Sequence, residues 1–506
     1  MKAWASLGTG VRVPSLPNLV LLAGASLAMF TSLGILVDVR IGLVFALGLG
    51  YAVLLLVRPD LLLYGIVALL VIGIDGWAPD RSPDDVIFRL GVGRIYLLEL
   101  LVYPLLAGLL FKKLALARDR KRSWVLRTPL DGPMLLFALL LPLFAFYGVF
   151  QGNAFDHAFG YYEWRSLFLA VALYFLLANM LETAKAANRL FWWFFVLVSL
   201  KAAYFLMLYM LDMEGLLPLV LGTGPQNEGP ENVMFMLAAL AGAALLVIAR
   251  SLTSARRVFV LLSTLAMVVN VGLSLKRNPQ LGLACGLFVL ALVVPMRQRL
   301  KWGALAALGV TVAVLLTGTF VERPDLAPIQ QTRLRYGEVI EFLEHGRPTL
   351  ESGTVPFHVY DWMDGWDAIR QHPLLGAGFG SEFQRYHTLF PYVGGEEAGP
   401  GGLIHNQYLQ FWWKMGLVGL CGFLWLIVRY LRAGAQLIPT LRNREHKAIA
   451  WGGYAAMWGL VAMGFWGAGW VGNTKIPALV LFSMATAMCL TRERSSGADG
   501  SRSAHL

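Results

Sequence analysis

Long apolar runs separated by short polar joints fill most of the chain, and one long polar stretch interrupts them. The runs fall at 19–37, 41–57, 61–74, 95–111, 132–150, 166–181, 190–211, 233–249, 258–275, 280–296, 302–318, 407–430, 448–471 and 476–490. Most are near the length a helix needs to cross a bilayer, so the pattern predicts an all-α polytopic membrane protein of about fourteen transmembrane helices. The interruption, 319–406, predicts one large extracytoplasmic loop. The expected blocks are 1–131 (four helices and a basic loop), 132–318 (seven helices), 319–406 (the loop, with short helices), 407–490 (three helices) and 491–506 (a disordered tail). Within the loop, Tyr360, Met363, Trp366 and Ile369 recur at helical spacing over 358–372, and Pro373 ends the pattern. The first run is too long for a signal-peptide core, which predicts a retained span.

Composition agrees: 57% of residues are hydrophobic and 14% charged. The net charge of +11 does not point to nucleic acid, because its Lys and Arg residues sit in the joints, as orientation signals do. Between 112 and 127 stand Lys112, Lys113, Arg118, Arg120, Lys121, Arg122 and Arg127 against Asp119 alone. That loop is expected in the cytoplasm. Alternation then puts Lys185 and Arg189, Arg250, Arg256 and Arg257, Arg297, Arg299 and Lys301, and Arg432, Arg442, Arg444 and Lys447 on the same side. Both termini follow them, and the 319–406 loop falls outside. Cys285, Cys421 and Cys489 lie within apolar runs and predict no disulfide framework.

The candidate chemistry gathers where the polar loop meets the next apolar run. His405 and Asn406 stand there, at a helix N-terminus whose dipole favours an anion. Neutral imidazole titrates near working pH, so His405 is a candidate general base; the competing reading is an interfacial histidine beside an Asn helix cap. His405, Leu409, Trp412 and Gly416 would share one helical stripe. Lys276 and Arg277 stand in an expected outer turn, where positive-inside bias disfavours cations, so they are candidates to hold a diphosphate; contact with lipid headgroups is the alternative. Arg165 is a second phosphate candidate or the ion-pair partner of Glu163. Lys201 lies deep in its apolar run and should face the bundle interior, either in a cavity or paired with Glu99. Asp361, Asp364 and Asp367, three residues apart, read as a solvated face or as a cation site. Gly376, Gly378 and Gly380 read as a turn rather than a nucleotide fingerprint, since no βαβ pattern surrounds them.

Taken together, these features resemble the O-antigen ligase and O-antigen polymerase superfamily of bacterial envelope glycosyltransferases. The similar residues are Trp366 with Ala368-Ile-Arg-Gln-His-Pro-Leu-Leu-Gly-Ala-Gly-Phe-Gly380, His405-Asn406-Gln-Tyr-Leu-Gln410 and Gly416-Leu-Val-Gly419. The cationic turn after Ser274 and the Gly222-Thr-Gly-Pro-Gln-Asn227 stretch with Asn232 extend the likeness over roughly 164–431. The resemblance implies metal-independent, inverting transfer of a glycan from an undecaprenyl-diphosphate carrier, without a cofactor, at the outer face of the bacterial inner membrane. His405 would be catalytic. Arg277, Lys276 and Arg165 would bind the diphosphate, with Asn406, Trp366, Gly376, Gly378 and Lys201 supporting. A glycan or lipid-linked acceptor, membrane lipids, and chain-length regulator or flippase proteins are the implied partners. A polymerase of O-antigen, capsule or exopolysaccharide is preferred to a ligase acting on lipid A core; a flippase or transporter is the alternative of another class. Two departures stand out: Leu275 and Lys276 separate Ser274 from Arg277 where the family reads Ser-Arg, and Lys414 stands where an acidic residue is common.

Overall fold

A computed structural model describes residues 50, 54, 58–72, 89–90, 95–116, 128–154, 162–213, 229–249, 251–273, 277–294, 354–384, 400–467 and 475–492. Contacts divide the chain into two compact units, Met1–Val67 and Ala68–Leu506. The described helices are α1 (Pro59–Ile72), α2 (Leu97–Leu116), α3 (Asp131–Phe150), α4 (Tyr162–Met180), α5 (Ala184–Met213), α6 (Gly229–Ile248), α7 (Ser254–Leu273), α8 (Arg277–Val293), α9 (Thr354–Gln371), α10 (Gln407–Leu437), α11 (Arg444–Met463) and α12 (Lys475–Leu490). Two minimal antiparallel ladders join them, β1 (Arg89–Leu90) with β2 (Ile95–Tyr96) and β3 (Phe383–Gln384) with β4 (Pro400–Gly401).

Among the described residues, 6 helical segments are long and apolar enough to cross a membrane: Asp131–Phe150, Glu163–Met180, Ala184–Leu208, Pro230–Ile248, Ser254–Leu273 and Gln407–Thr440. The expected runs 19–37 and 302–318, and nearly all of 41–57, lie outside the described residues, as does much of the 319–406 loop. The helix expected at 358–372 exists as α9 but begins at Thr354, because Pro356 falls in its first turn, where a missing N–H costs nothing.

Helix starts are set by short polar side chains. Asn443 caps α11 by accepting from the N–H groups of Glu445 and His446 at 2.9 and 3.3 Å. Before α3, Thr128 donates its N–H and hydroxyl to Asp131 at 2.8 and 2.6 Å, and Tyr174 on α4 donates to the same carboxylate at 2.8 Å. At the centre lies α6, whose apolar span is 94% buried against α7, α8 and α11. Backbones approach closely there: a Cβ on Gly282 of α8 would lie 3.0 Å from the Gly459 carbonyl of α11. Small residues give this packing in membranes, where van der Waals contact drives helix association. Leu139 and Leu143 on α3, Leu262 on α7 and Phe288 on α8 are exposed, giving these helices an apolar face that lipid can cover.

Two sequence expectations are corrected by the elements themselves. The Lys276–Pro279 segment is not wholly a turn, since helix begins at Arg277 and takes Pro279 into its first turn. The stripe from His405 to Gly416 is not one continuous helical face either. His405 precedes the helix, and Gly416 has non-helical angles (φ 61°, ψ −169°) that kink α10.

Candidate functional site

The site is built where α9 packs on the first part of α10. Ile369 of α9, Phe383 of β3, Ile404 and Trp413 of α10 form a buried cluster, with Trp362, Leu409 and Trp412 against it. Gly365 lets α9 approach the segment leading to His405: a Cβ there would lie 2.6 Å from Ile404 Cδ1. Asn406 is the N-cap of α10, its Oδ1 accepting from the N–H groups of Tyr408 and Leu409 at 3.0 and 3.2 Å and its Nδ2 donating to the Phe465 carbonyl at 3.1 Å. The cap reading of Asn406 therefore holds, and it orients the residue before it.

His405 is gripped from α9. Its backbone N–H donates to Asp361 Oδ2 at 2.5 Å, and its ring Nδ1 lies 3.2 Å from the same oxygen. Trp362 Nε1 donates to the His405 carbonyl at 3.1 Å. The His358 ring stands 5.3 Å from the His405 ring, centroid to centroid. The Asp361 side chain is 2% exposed and that of His405 20%, so the carboxylate is sealed while the imidazole keeps an open edge. Of the acidic row, Asp361 and Asp364 are buried, whereas Asp367 is exposed 3.8 Å from Arg370. The three do not form one solvated face. Among the described residues, no three His, Cys, Asp or Glu side chains gather as metal ligands.

Behind His405, the glycine-rich turn is stitched into the kink of α10. The N–H groups of Ala377 and Gly378 donate to the carbonyls of Trp413 and Lys414 at 2.7 and 3.0 Å, and Leu417 N–H donates to the Pro373 carbonyl at 3.1 Å. The break at Gly416 frees these helix groups, and the turn satisfies them. Gly376, Gly378 and Gly380 all have positive φ (70°, 79° and 79°). Asn153, just after α3, donates to the carbonyls of Ala377 and Phe379, both at 3.0 Å. Trp366 stacks edge-on against Trp412 with centroids 5.4 Å apart, and Trp412 Nε1 donates to the Pro373 carbonyl at 2.8 Å.

The cations fall in pairs that sequence proximity did not reveal. Arg165 forms a forked pair with Glu99, at 3.2 and 2.6 Å, and not with Glu163. Glu163 instead pairs with buried Lys414 at 2.9 Å and accepts from Gly380 N–H at 3.2 Å. Lys414 also donates to the Ser381 carbonyl at 2.7 Å. Lys201 is buried as expected, but its carboxylate partner is Glu231 at 2.9 Å, not Glu99; Glu231 also binds Lys475 at 2.5 Å. Lys201 further donates to the Val71 carbonyl at 2.6 Å. Arg165 and Lys201 thus belong to ion pairs with Glu99 and Glu231. Lys276 lies outside the described residues, and of Arg277 the backbone alone is described. Asp361, Glu163 and Lys414 are the site residues that sequence reasoning missed as a set. The signal for Asp361 was present in its place on the loop helix beside Trp362, but its partner lies 44 positions away.

Fold and site together define a helical membrane protein with a histidine–carboxylate pair held at the head of a kinked helix. Residues 262–424 match the family Wzy_C, described as O-Antigen ligase. That match supports the likeness to the O-antigen ligase and polymerase superfamily that the motifs carry. It includes Arg277, Asp361, Trp366, the glycine turn, His405 and Lys414; Lys201, Glu231 and Lys475 lie beyond it. No curated protein matches the chain.

Proposed function

We propose that this protein is a membrane-embedded glycosyltransferase of the O-antigen ligase type, acting on undecaprenyl-diphosphate-linked glycan at the outer face of the bacterial inner membrane. Polymerisation of repeat units for O-antigen, capsule or exopolysaccharide is the preferred form; ligation to lipid A core differs in the acceptor alone. The observation that carries the reading is the His405 ring, partly open and anchored from α9, inside the segment that matches the family. In the reaction, His405 takes the proton of an acceptor hydroxyl. The acceptor oxygen attacks the anomeric carbon from the face opposite the diphosphate, and the diphosphate departs with the bonding electrons. Positive charge from Arg277 and Lys276 stabilises that leaving group. Arg165, whose guanidinium also pairs with Glu99, is the second diphosphate contact in this reading.

The test is to purify well-inserted variants and measure glycan transfer and lipid-diphosphate binding separately. His405→Ala should lower transfer roughly a hundredfold or more while donor binding persists. Arg277→Ala should weaken both, and Arg277→Lys should recover part, because an ammonium keeps the charge but loses the planar fork. A His405→Ala protein with near-normal transfer would remove the base from the scheme and leave His405 as a neighbour of the helix cap.

A further inference from the structure

We propose that Asp361 is a positioning residue for His405, holding the imidazole by Nδ1 so that the proton of the acceptor hydroxyl goes to Nε2. The proposal rests on the reading of His405 as the base.

The argument begins with the cost of the carboxylate. Asp361 is 3% exposed as a residue, and an acidic side chain removed from water needs polar partners to remain there. The same oxygen, Oδ2, meets both the backbone N–H and the ring Nδ1 of His405. One helical turn of α9 thus fixes His405 at three points: Asp361 on its N–H, Asp361 on its ring, and Trp362 on its carbonyl. The cap on Asn406 fixes the next residue, and Gly365 brings the two segments close. With Nδ1 directed at a carboxylate, the neutral ring carries its proton on Nδ1 and presents Nε2 as the basic atom. When Nε2 takes the hydroxyl proton, the imidazolium that forms faces a negative charge already in place, which favours the transition state over the ground state. The acceptor's O–H bond breaks, its oxygen bonds to the sugar carbon, and the bond from that carbon to the diphosphate breaks. Asp361 keeps its charge throughout.

A merely structural role makes a different prediction. If Asp361 only satisfies the backbone of the 404–406 turn, Asn serves as well, since its amide oxygen accepts the same N–H bond. The experiment is therefore a cycle of Asp361→Asn, His405→Ala and the double variant in the full-length protein. Transfer is measured with the carrier-linked glycan purified from the source cells and normalised to inserted protein. Asp361→Asn should lower transfer at least about tenfold in the wild-type background, part of what a general base supplies, and have little further effect once His405 is gone. The same fractional loss in both backgrounds, or near-normal transfer by Asp361→Asn, overturns the proposal. Normal transfer by His405→Ala alone overturns the function reading, and the positioning role falls with it. As a direct readout of the tautomer, nitrogen NMR of histidine-labelled wild-type protein should show neutral His405 protonated at Nδ1, its signal identified by its absence from a well-inserted His405→Ala protein. Protonation at Nε2 overturns the assignment.

Discussion

Gly376, Gly378 and Gly416 stand where a side chain would strike backbone. A Cβ on Gly376 would lie 2.6 Å from the Trp413 carbonyl, one on Gly378 2.6 Å from Gly148 N, and one on Gly416 2.5 Å from Leu375 N. Gly152 also has positive φ (91°), but nothing lies within 4 Å of its added Cβ, so these residues separate the two reasons for glycine. Gly152→Ala should cost about 1–2 kcal/mol for the left-handed backbone alone, whereas Gly376→Ala adds a collision with fixed atoms and should cost about 2–5 kcal/mol. Unfolding of both variants in the same detergent checks the order; equal losses would mean that the turn does not press on α10. The sequence made the turn at Gly376, Gly378 and Gly380 legible. It did not show that Gly416 breaks its helix to receive that turn, because glycine is tolerated in membrane helices and periodicity alone does not mark a break there.

Ion pairing between elements was the least legible layer. Glu163 and Arg165 are two positions apart, and on a helix such residues point to different faces. Glu163 accordingly reaches Lys414 of α10 and Arg165 reaches Glu99 of α2. Lys414, an oddity by family pattern, becomes intelligible as the buried partner of a carboxylate that also holds the glycine turn through Gly380. Lys414→Met should destabilise the protein by up to about 3 kcal/mol: breaking a buried pair strands the remaining charge, and the 13% exposure of the Glu163 side chain tempers the effect. Glu163→Gln, which keeps an acceptor for Gly380, should cost less. The double variant should be more stable than the two losses added together. Additive losses in a four-protein unfolding cycle would show that the two side chains act separately. By contrast, Asn406 as a cap, the burial of Lys201 and the stop of α9 before Pro373 were all readable in advance. Each depends on local backbone chemistry or on the cost of an intramembrane charge, and none requires knowing which helices become neighbours.

At the scale of the whole molecule, apolar runs made the membrane class legible, while α10 shows what run length alone does not reveal. As a continuous helix of 31 residues it would extend roughly 46 Å, well beyond a hydrocarbon core of about 30 Å. The kink at Gly416 resolves the mismatch: the part from Leu417 to Leu437 has about the length of one crossing, and the part from Gln407, packed on α9, need not lie in lipid. At the far end, the short 3-10 turn Ile438–Thr440 leads to α11, which begins at Arg444. Arg442, Arg444 and Lys447 cluster around this reversal, and Lys447 donates to the Pro439 carbonyl at 2.6 Å. By the positive-inside rule those cations predict a cytoplasmic reversal, and His405 stands at the opposite end of α10. Reporters that work on one side only should therefore be active in the cytoplasm when fused after Arg122 or Arg444, and outside when inserted near Gly394. A reporter at Arg444 active on the external side would reverse α10 and carry His405 to the cytoplasmic face. Transfer from an externally presented carrier lipid would then have no base within reach.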